Sequence, residues 1–167
     1  MAIRKALTSS ESDNWYTPPE VVALVEQVAP IALDPFPEQW EAQNRILCPD
    51  GFDRSWECDS GGLTYCNPPY SRLSEFAQAW EARRMFAALQ GWHCVALVPS
   101  RTDTRWFATM RMHSKAVAFY SGRIKFVLPD GARRSSAPFA SALFYAGPTP
   151  GRFSDVMTAA GHWAVML

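Results

Sequence analysis

The sequence predicts an α/β protein built on a mostly parallel sheet with flanking helices. Three observations carry this expectation. His93-Cys94-Val95-Ala96-Leu97-Val98 is nearly all apolar, the composition of a strand buried on both faces of a parallel sheet. Two shorter apolar runs, Ile31-Ala32-Leu33 and Leu63-Thr64-Tyr65-Cys66, each stop at a polar residue (Asp34, Asn67) that is followed by proline. Between these runs lie stretches with helical start and stop signals.

In chain order, residues 1–12 are small, polar and unpatterned and read as a flexible terminus, leaving 13–167 as a single domain. Thr17-Pro18-Pro19-Glu20 reads as a helix start, with Thr17 as N-cap, Pro18 at N1 and Glu20 at N3 closing a capping box. Val21, Val22, Leu24, Val25 and Val28 give that helix an apolar face, and Pro30 ends it. Ile31 to Leu33 form the first buried strand. It ends in Asp34, at the kind of carboxyl edge where doubly wound sheets collect ligands. Pro35-Phe36-Pro37 stands where a glycine-rich turn is usual. Arg45-Ile46-Leu47-Cys48 reads as a short second strand before the turn Pro49-Asp50-Gly51. Asp53, Glu57 and Asp59 are expected to face solvent, and Gly61-Gly62 leads into the strand at 63–66.

With Ser71 as N-cap, a helix is expected to about Gln90, with Leu73, Phe76, Ala77, Trp80, Phe86 and Leu89 in the core and Gly91 as its stop. The strand at 93–98 ends at Pro99-Ser100-Arg101, so Arg101, Thr102 and Thr104 fall on the same rim as Asn67. A helix follows through Trp106, Phe107 and Met110. Ala116 to Tyr120 and Ile124 to Leu128 read as a strand pair joined by Ser121-Gly122-Arg123, an antiparallel hairpin closing the sheet. Residues 129–137 form a basic loop, Ala140 to Tyr145 a last strand, and His162 and Trp163 read as structural.

The chemistry concentrates at Asn67-Pro68-Pro69-Tyr70. Two prolines remove backbone donors and fix φ, so the strand ends in a stiff loop. Held rigidly, the Asn67 side-chain carbonyl and the Pro68 backbone carbonyl can both accept hydrogen bonds from the exocyclic amine of a nucleobase. Such acceptors favour a tetrahedral nitrogen whose lone pair points at an incoming methyl group. Tyr70 offers a flat face for a base to stack on. The same four residues are also an ordinary strand-to-loop turn.

The whole chain bounds the function further. Its 167 residues, 48% hydrophobic and 13% aromatic, suffice for a core without staples. Cys48, Cys58, Cys66 and Cys94 show no CxxC pairing and no accompanying His pattern, which suits reduced thiols in a cytosolic protein rather than a zinc site. No signal peptide or apolar stretch near transmembrane length is present. The formal net charge is zero, yet residues 101–134 hold eight Lys/Arg (Arg101, Arg105, Arg111, Lys115, Arg123, Lys125, Arg133, Arg134) against Asp103 and Asp130. This is either a face that binds a polyanion or a solvated charged surface.

Asp13-Asn14-Trp15-Tyr16-Thr17-Pro18, Leu33-Asp34-Pro35, Asp50-Gly51-Phe52 with Trp56, Asn67-Pro68-Pro69-Tyr70-Ser71 and Val98-Pro99-Ser100-Arg101-Thr102-Asp103 occur in that order, extended by Gly122 to Phe126 and Pro138-Phe139. In these motifs, over roughly residues 13–145, the chain resembles the phage-type DNA N-6-adenine methyltransferases. The resemblance implies a Rossmann-like class I methyltransferase fold and S-adenosylmethionine as cofactor. It implies double-stranded DNA as partner, with no metal and no membrane, in the cytoplasm of a bacterial host carrying the phage or prophage. Asn67, Pro68, Pro69 and Tyr70 would then be the catalytic loop. Trp15, Tyr16 and Thr17 would lie at the cofactor pocket, because the family's Thr-Pro turn lies against the methionine moiety. Asp34 would meet the cofactor's ammonium group and Phe36 its adenine; Asp50 is a cofactor contact or a plain turn aspartate. Arg101, Thr104, Arg105, Arg123, Lys125, Arg133 and Arg134 would face DNA, the last two on a loop that is otherwise an exposed turn. These motifs specify no oligomeric state and no separate target-recognition domain, so a short or loosely specified site is expected. Two rivals share the features: methylation of RNA or of a protein glutamine by the same loop, and a catalytically silent nucleic-acid-binding protein.

Overall fold

The computed structural model describes residues 15–36, 46–47, 51–52, 55–59, 61–127, 132 and 136–167. Along them run α1 (Pro19–Glu26), β1 (Ile31–Asp34), β2 (Ile46–Leu47), β3 (Leu63–Cys66), a 3-10 turn (Tyr70–Arg72), α2 (Leu73–Gln90), β4 (His93–Pro99), α3 (Arg105–Met112), β5 (Ala116–Phe119), β6 (Ser141–Ala146), α4 (Pro150–Ala159) and β7 (Trp163–Met166). The strands form one sheet in the order β2-β1-β3-β4-β6-β5-β7. All seven residues of β4 are buried, as its apolar composition requires.

The sheet is mixed rather than mostly parallel. The β1–β2, β1–β3 and β3–β4 pairings are parallel, whereas β4–β6, β5–β6 and β5–β7 are antiparallel. The cause is the path after β5. The expected hairpin of 116–120 with 124–128 does not form, because β5 already has β6 on one side and β7 on the other. Residues 124–127 instead run on as an extended segment that bridges to Tyr16, with Val127 N donating to Tyr16 O at 2.9 Å. The chain then returns as β6 between β4 and β5. Nor is β6 the last strand. Gly147-Pro148-Thr149 turns into α4, with Pro150 at its start, and β7 follows as an edge strand.

Side chains alternate between two cores, one on each face. Leu63, Tyr65, Val95, Leu97, Leu143 and Tyr145 point to the face covered by Val21, Leu24 and Val25 of α1 and by Phe153 and Met157 of α4. Cys66, Cys94, Ala96, Val98 and Phe144 point to the other, covered by Phe76 and Trp80 of α2 and by Phe107 and Met110 of α3. Each such large side chain contributes about 1.5–3 kcal/mol on burial.

Three local expectations are corrected. The α1 N-cap is Pro18, with Pro19 at N1 and no side-chain cap bond, so the capping box at Thr17 and Glu20 is absent. Ser71 lies within the 3-10 turn, and α2 starts one residue later than expected, at Leu73 with Arg72 as N-cap. Leu89, in the last turn of α2, is 76% exposed rather than in the core. Gly91 ends α2 as expected, at φ 75°.

Candidate active site

Strand directions place the site. β1, β3, β4 and β5 all finish at one edge of the sheet, and β6 starts there. That edge therefore gathers Asp34, Asn67–Arg72, Ser100–Arg105, Tyr120–Val127 and 136–141. Main-chain bonds tie the pieces together: Ser100 N donates to Ala140 O at 2.7 Å and Tyr120 N to Ser141 O at 2.9 Å.

Asn67 sits at the end of β3 with 8% of its surface exposed. Its Nδ2 donates to the Trp15 main-chain carbonyl and, at 3.2 Å, to Thr17 Oγ1. A carbonyl only accepts, so the group facing Trp15 is the NH2, and Oδ1 is directed to the other side. Thr17 Oγ1 is in turn 2.9 Å from the Tyr65 hydroxyl. The threonine that sequence reads as a helix cap is thus turned inward to Asn67. Tyr65, one strand period before Asn67, carries no motif signal; a core tyrosine in a strand is all that sequence shows.

Pro68 is buried and Pro69 half-buried, and Arg72 N donates to Pro69 O at 3.0 Å, which locks the loop into the 3-10 turn. The half-buried ring of Tyr70 lies nearly parallel to Trp15 (centroids 6.4 Å apart, 18° between planes). Phe139 and Phe126 meet it edge-on at 5.5 and 6.3 Å. Trp15 in turn meets Phe139 and Phe126 at 5.1 and 5.4 Å, so three rings pack with Tyr70 in one aromatic cluster. Such edge-to-face pairs fix ring planes as well as burying area.

Asp34 is 5% exposed, and its Oδ1 accepts from Phe36 N at 3.0 Å, a side-chain turn that shapes Pro35-Phe36 without glycine. Phe36 packs edge-on against Phe52, Phe76 and Trp56 at 5.0, 5.6 and 5.9 Å. Gly51 is required beside it: a Cβ there would fall on the Pro35 carbonyl oxygen and 2.6 Å from the Phe36 ring. Trp56 Nε1 donates to Gly51 O at 2.7 Å, and Arg83 Nη2 to Phe52 O at 2.6 Å, stapling this turn to α2. Tyr16 is buried, with its main chain bonded to Val127.

The basic residues divide between the two edges. Arg101, Arg105, Arg123 and Lys125 are exposed at the site edge. Arg111 in the last turn of α3 and Lys115 before β5 lie toward the opposite one. Thr104 is half-buried and caps α3: its Oγ1 accepts from Phe107 N at 3.4 Å and donates to Arg101 O at 2.8 Å. Arg123 and Lys125 alternate with buried Ile124 and Phe126, so the 123–127 segment turns one charged face outward. Asp50, Arg133 and Arg134, like residues 1–12, lie outside the described residues.

Burial pushes the Cys66 thiol, next to Asn67, well above its ordinary range, and the neighbouring Cys94 adds to the rise. It is a protonated, inert core thiol. No group of His, Cys, Asp or Glu among the described residues is arranged to hold a metal ion, and no helix among them is long and apolar enough to cross a membrane.

A comparison with curated proteins finds no match. The model of one family, described as DNA N-6-adenine-methyltransferase (Dam), matches residues 4–149 and so takes in every part of the edge described above. The chain belongs to the DNA N-6-adenine-methyltransferase family.

Proposed function

We propose that residues 13–167 act as one unit that transfers a methyl group from S-adenosylmethionine to the exocyclic N-6 amine of adenine in double-stranded DNA. The observation that carries this reading is the oriented amide of Asn67 on a proline-stiffened loop at the carboxyl edge. The donor set at that edge fits the cofactor. Asp34 is a buried carboxylate able to accept from an ammonium group, and Trp15 to Thr17 border Asn67 on the side away from its Oδ1. Asp34, Trp15 and Tyr16 would hold the cofactor, with Thr17 bordering it through atoms other than the hydroxyl, which is turned to Asn67 and Tyr65. Phe36, packed among Phe52, Trp56 and Phe76, shapes the wall behind Asp34 and would border its adenine. Bound there, the sulfonium supplies an activated methyl group.

The chain's own part is orientation and charge. Asn67 Oδ1 and the Pro68 carbonyl accept the two amine hydrogens, which draws the nitrogen toward tetrahedral geometry and turns its lone pair to the methyl carbon. A C–N bond forms as the S–C bond breaks, and the surplus proton on nitrogen passes to water. Tyr70, its plane set by Trp15, Phe126 and Phe139, receives a base rotated out of the duplex. Arg101, Arg105, Arg123 and Lys125 supply phosphate contacts along the same edge, with Arg133 and Arg134 completing that set. Thr104 serves by setting the first turn of α3 behind Arg101 and Arg105.

The test is transfer of labelled methyl from S-adenosylmethionine to adenine-containing duplex DNA. Label is expected as N-6-methyladenine, with Asn67→Ala slower by about two to three orders of magnitude, the size of losing one preorganised transition-state contact. Wild-type label on RNA or on protein glutamine would replace the substrate. An Asn67→Ala protein of near wild-type rate would remove Asn67 from the chemistry.

A further inference from the structure

We propose that Thr17 and Tyr65 are positioning residues that orient the Asn67 amide for catalysis, a role that rests on the methyl-transfer reading above. A primary amide has two orientations related by a half-turn, and they differ little in water. In only one of them does Asn67 present an acceptor to the target amine. In the other its NH2 would face the amine's own hydrogens and oppose the reaction.

Three groups select the productive orientation. The Trp15 carbonyl accepts from Nδ2, and a flipped amide would set two oxygens against each other. Thr17 Oγ1 takes a second Nδ2 hydrogen bond at 3.2 Å. On its own a threonine hydroxyl is ambivalent, since it could donate to a flipped Oδ1 equally well. Tyr65, 2.9 Å away, removes the ambivalence: when Thr17 gives its proton to the Tyr65 oxygen, its lone pairs face Nδ2. Thr17 and Tyr65 are each 1% exposed, so water does not compete for these bonds. The chain spends a threonine ideally placed to cap α1 on this contact, and leaves α1 without a side-chain cap. Tyr65 lies on β3 and Asn67 directly follows its last residue, two positions on, so continuing the strand alternation brings their side chains to the same face.

The resemblance to known enzymes puts the Thr-Pro turn beside the cofactor, which makes a distinct prediction for Thr17. A cofactor contact would show in the KM for S-adenosylmethionine; a positioning role shows in kcat. Thr17→Val keeps the shape and removes the hydroxyl. It is expected to lower kcat about tenfold or more, as misplacement of a reacting group does, while both KM values stay within about twofold. Thr17→Ser restores the hydroxyl and should restore kcat, and Tyr65→Phe, lacking one oxygen, should fall between. In an Asn67→Ala background Thr17→Val should add nothing, because the group it orients is gone.

A second readout does not depend on turnover. The side-chain NH2 pair of Asn67 in a 1H–15N spectrum, identified by its loss in Asn67→Ala, should move in Thr17→Val and in Tyr65→Phe. An unmoved NH2 pair with wild-type kcat overturns the proposal. So does a raised cofactor KM at unchanged kcat, or an equal loss in the Asn67→Ala background. Should the wild-type protein methylate none of DNA, RNA or protein, the methyl-transfer reading fails, and the spectrum alone decides whether the amide is held as proposed. If Thr17→Val does not fold, Tyr65→Phe carries both readouts.

Discussion

Ser141 serves the site edge through its main chain. Its carbonyl accepts from Tyr120 N, and it stands opposite Pro99 in the β4–β6 register. Its hydroxyl is buried and has no hydrogen-bond partner among the described residues. An unsatisfied buried hydroxyl costs free energy, whereas an alanine there buries nothing polar. Ser141→Ala is therefore expected to unfold at equal or slightly higher denaturant, with a gain of up to about 1 kcal/mol. A loss of more than that would mean the hydroxyl is bonded in the folded protein. The same scale shows what single residues disclose from sequence. Asn67 to Tyr70 is legible because two prolines after an apolar run leave little choice of structure. Thr17 is misread because a cap and an inward contact begin with the same residue type. The partner that decides between them, Tyr65, lies 48 positions away.

The 124–127 segment shows how an element can be read correctly in period and wrongly in place. Arg123 out, Ile124 in, Lys125 out, Phe126 in is a strand alternation, and the side chains obey it. What sequence does not show is that β6 and β7 occupy both sides of β5, so the segment pairs instead with Tyr16 through Val127 and with Ala137 through Ile124. The missed α4 and β7 have other causes: α4 buries only Phe153 and Met157, and β7, though apolar throughout, is a four-residue edge strand whose Trp163 stays 67% exposed. By contrast β3 and β4 were legible, since strands buried on both faces need continuous apolar runs. The displaced segment has a consequence for the site, because Phe126 is fully buried against Trp15, Tyr70 and Phe139. Phe126→Ala is expected to cost about 3–5 kcal/mol in denaturant unfolding. Methyl transfer should fall along with it even where the protein remains folded, as Tyr70 loses one of the rings that set its plane. Full activity in a folded Phe126→Ala protein would detach the aromatic cluster from the reaction.

Across the whole molecule the two edges of the sheet carry different chemistry. The carboxyl edge holds Asp34, Asn67 and, among the described residues, the exposed cations Arg72, Arg101, Arg105, Arg123 and Lys125. The opposite edge holds a closed polar set: the Tyr145 hydroxyl accepts from Thr149 N at 3.0 Å and lies 2.8 Å from His93 Nδ1. Burial, with the Arg152 charge nearby, lowers the His93 pKa from its ordinary 6.5. Since the folded state resists protonation there, the unfolded state binds more protons once pH falls below about 6.5, so stability rises with pH in that range. Above it both states are neutral at His93 and the contribution is flat. Unfolding free energy is thus expected to be level from about pH 8 to 7 and to decline from about pH 6.5 downward, before carboxylates begin to titrate. His162, also held low by burial, adds to the same slope. His93→Asn keeps a polar partner for Tyr145 and removes one titrating group, so it should flatten the decline between about pH 6.5 and 5.5 only in part. A His93→Asn protein with the full wild-type slope would show that His93 is free to charge in the fold, and that burial and Arg152 do not hold it neutral.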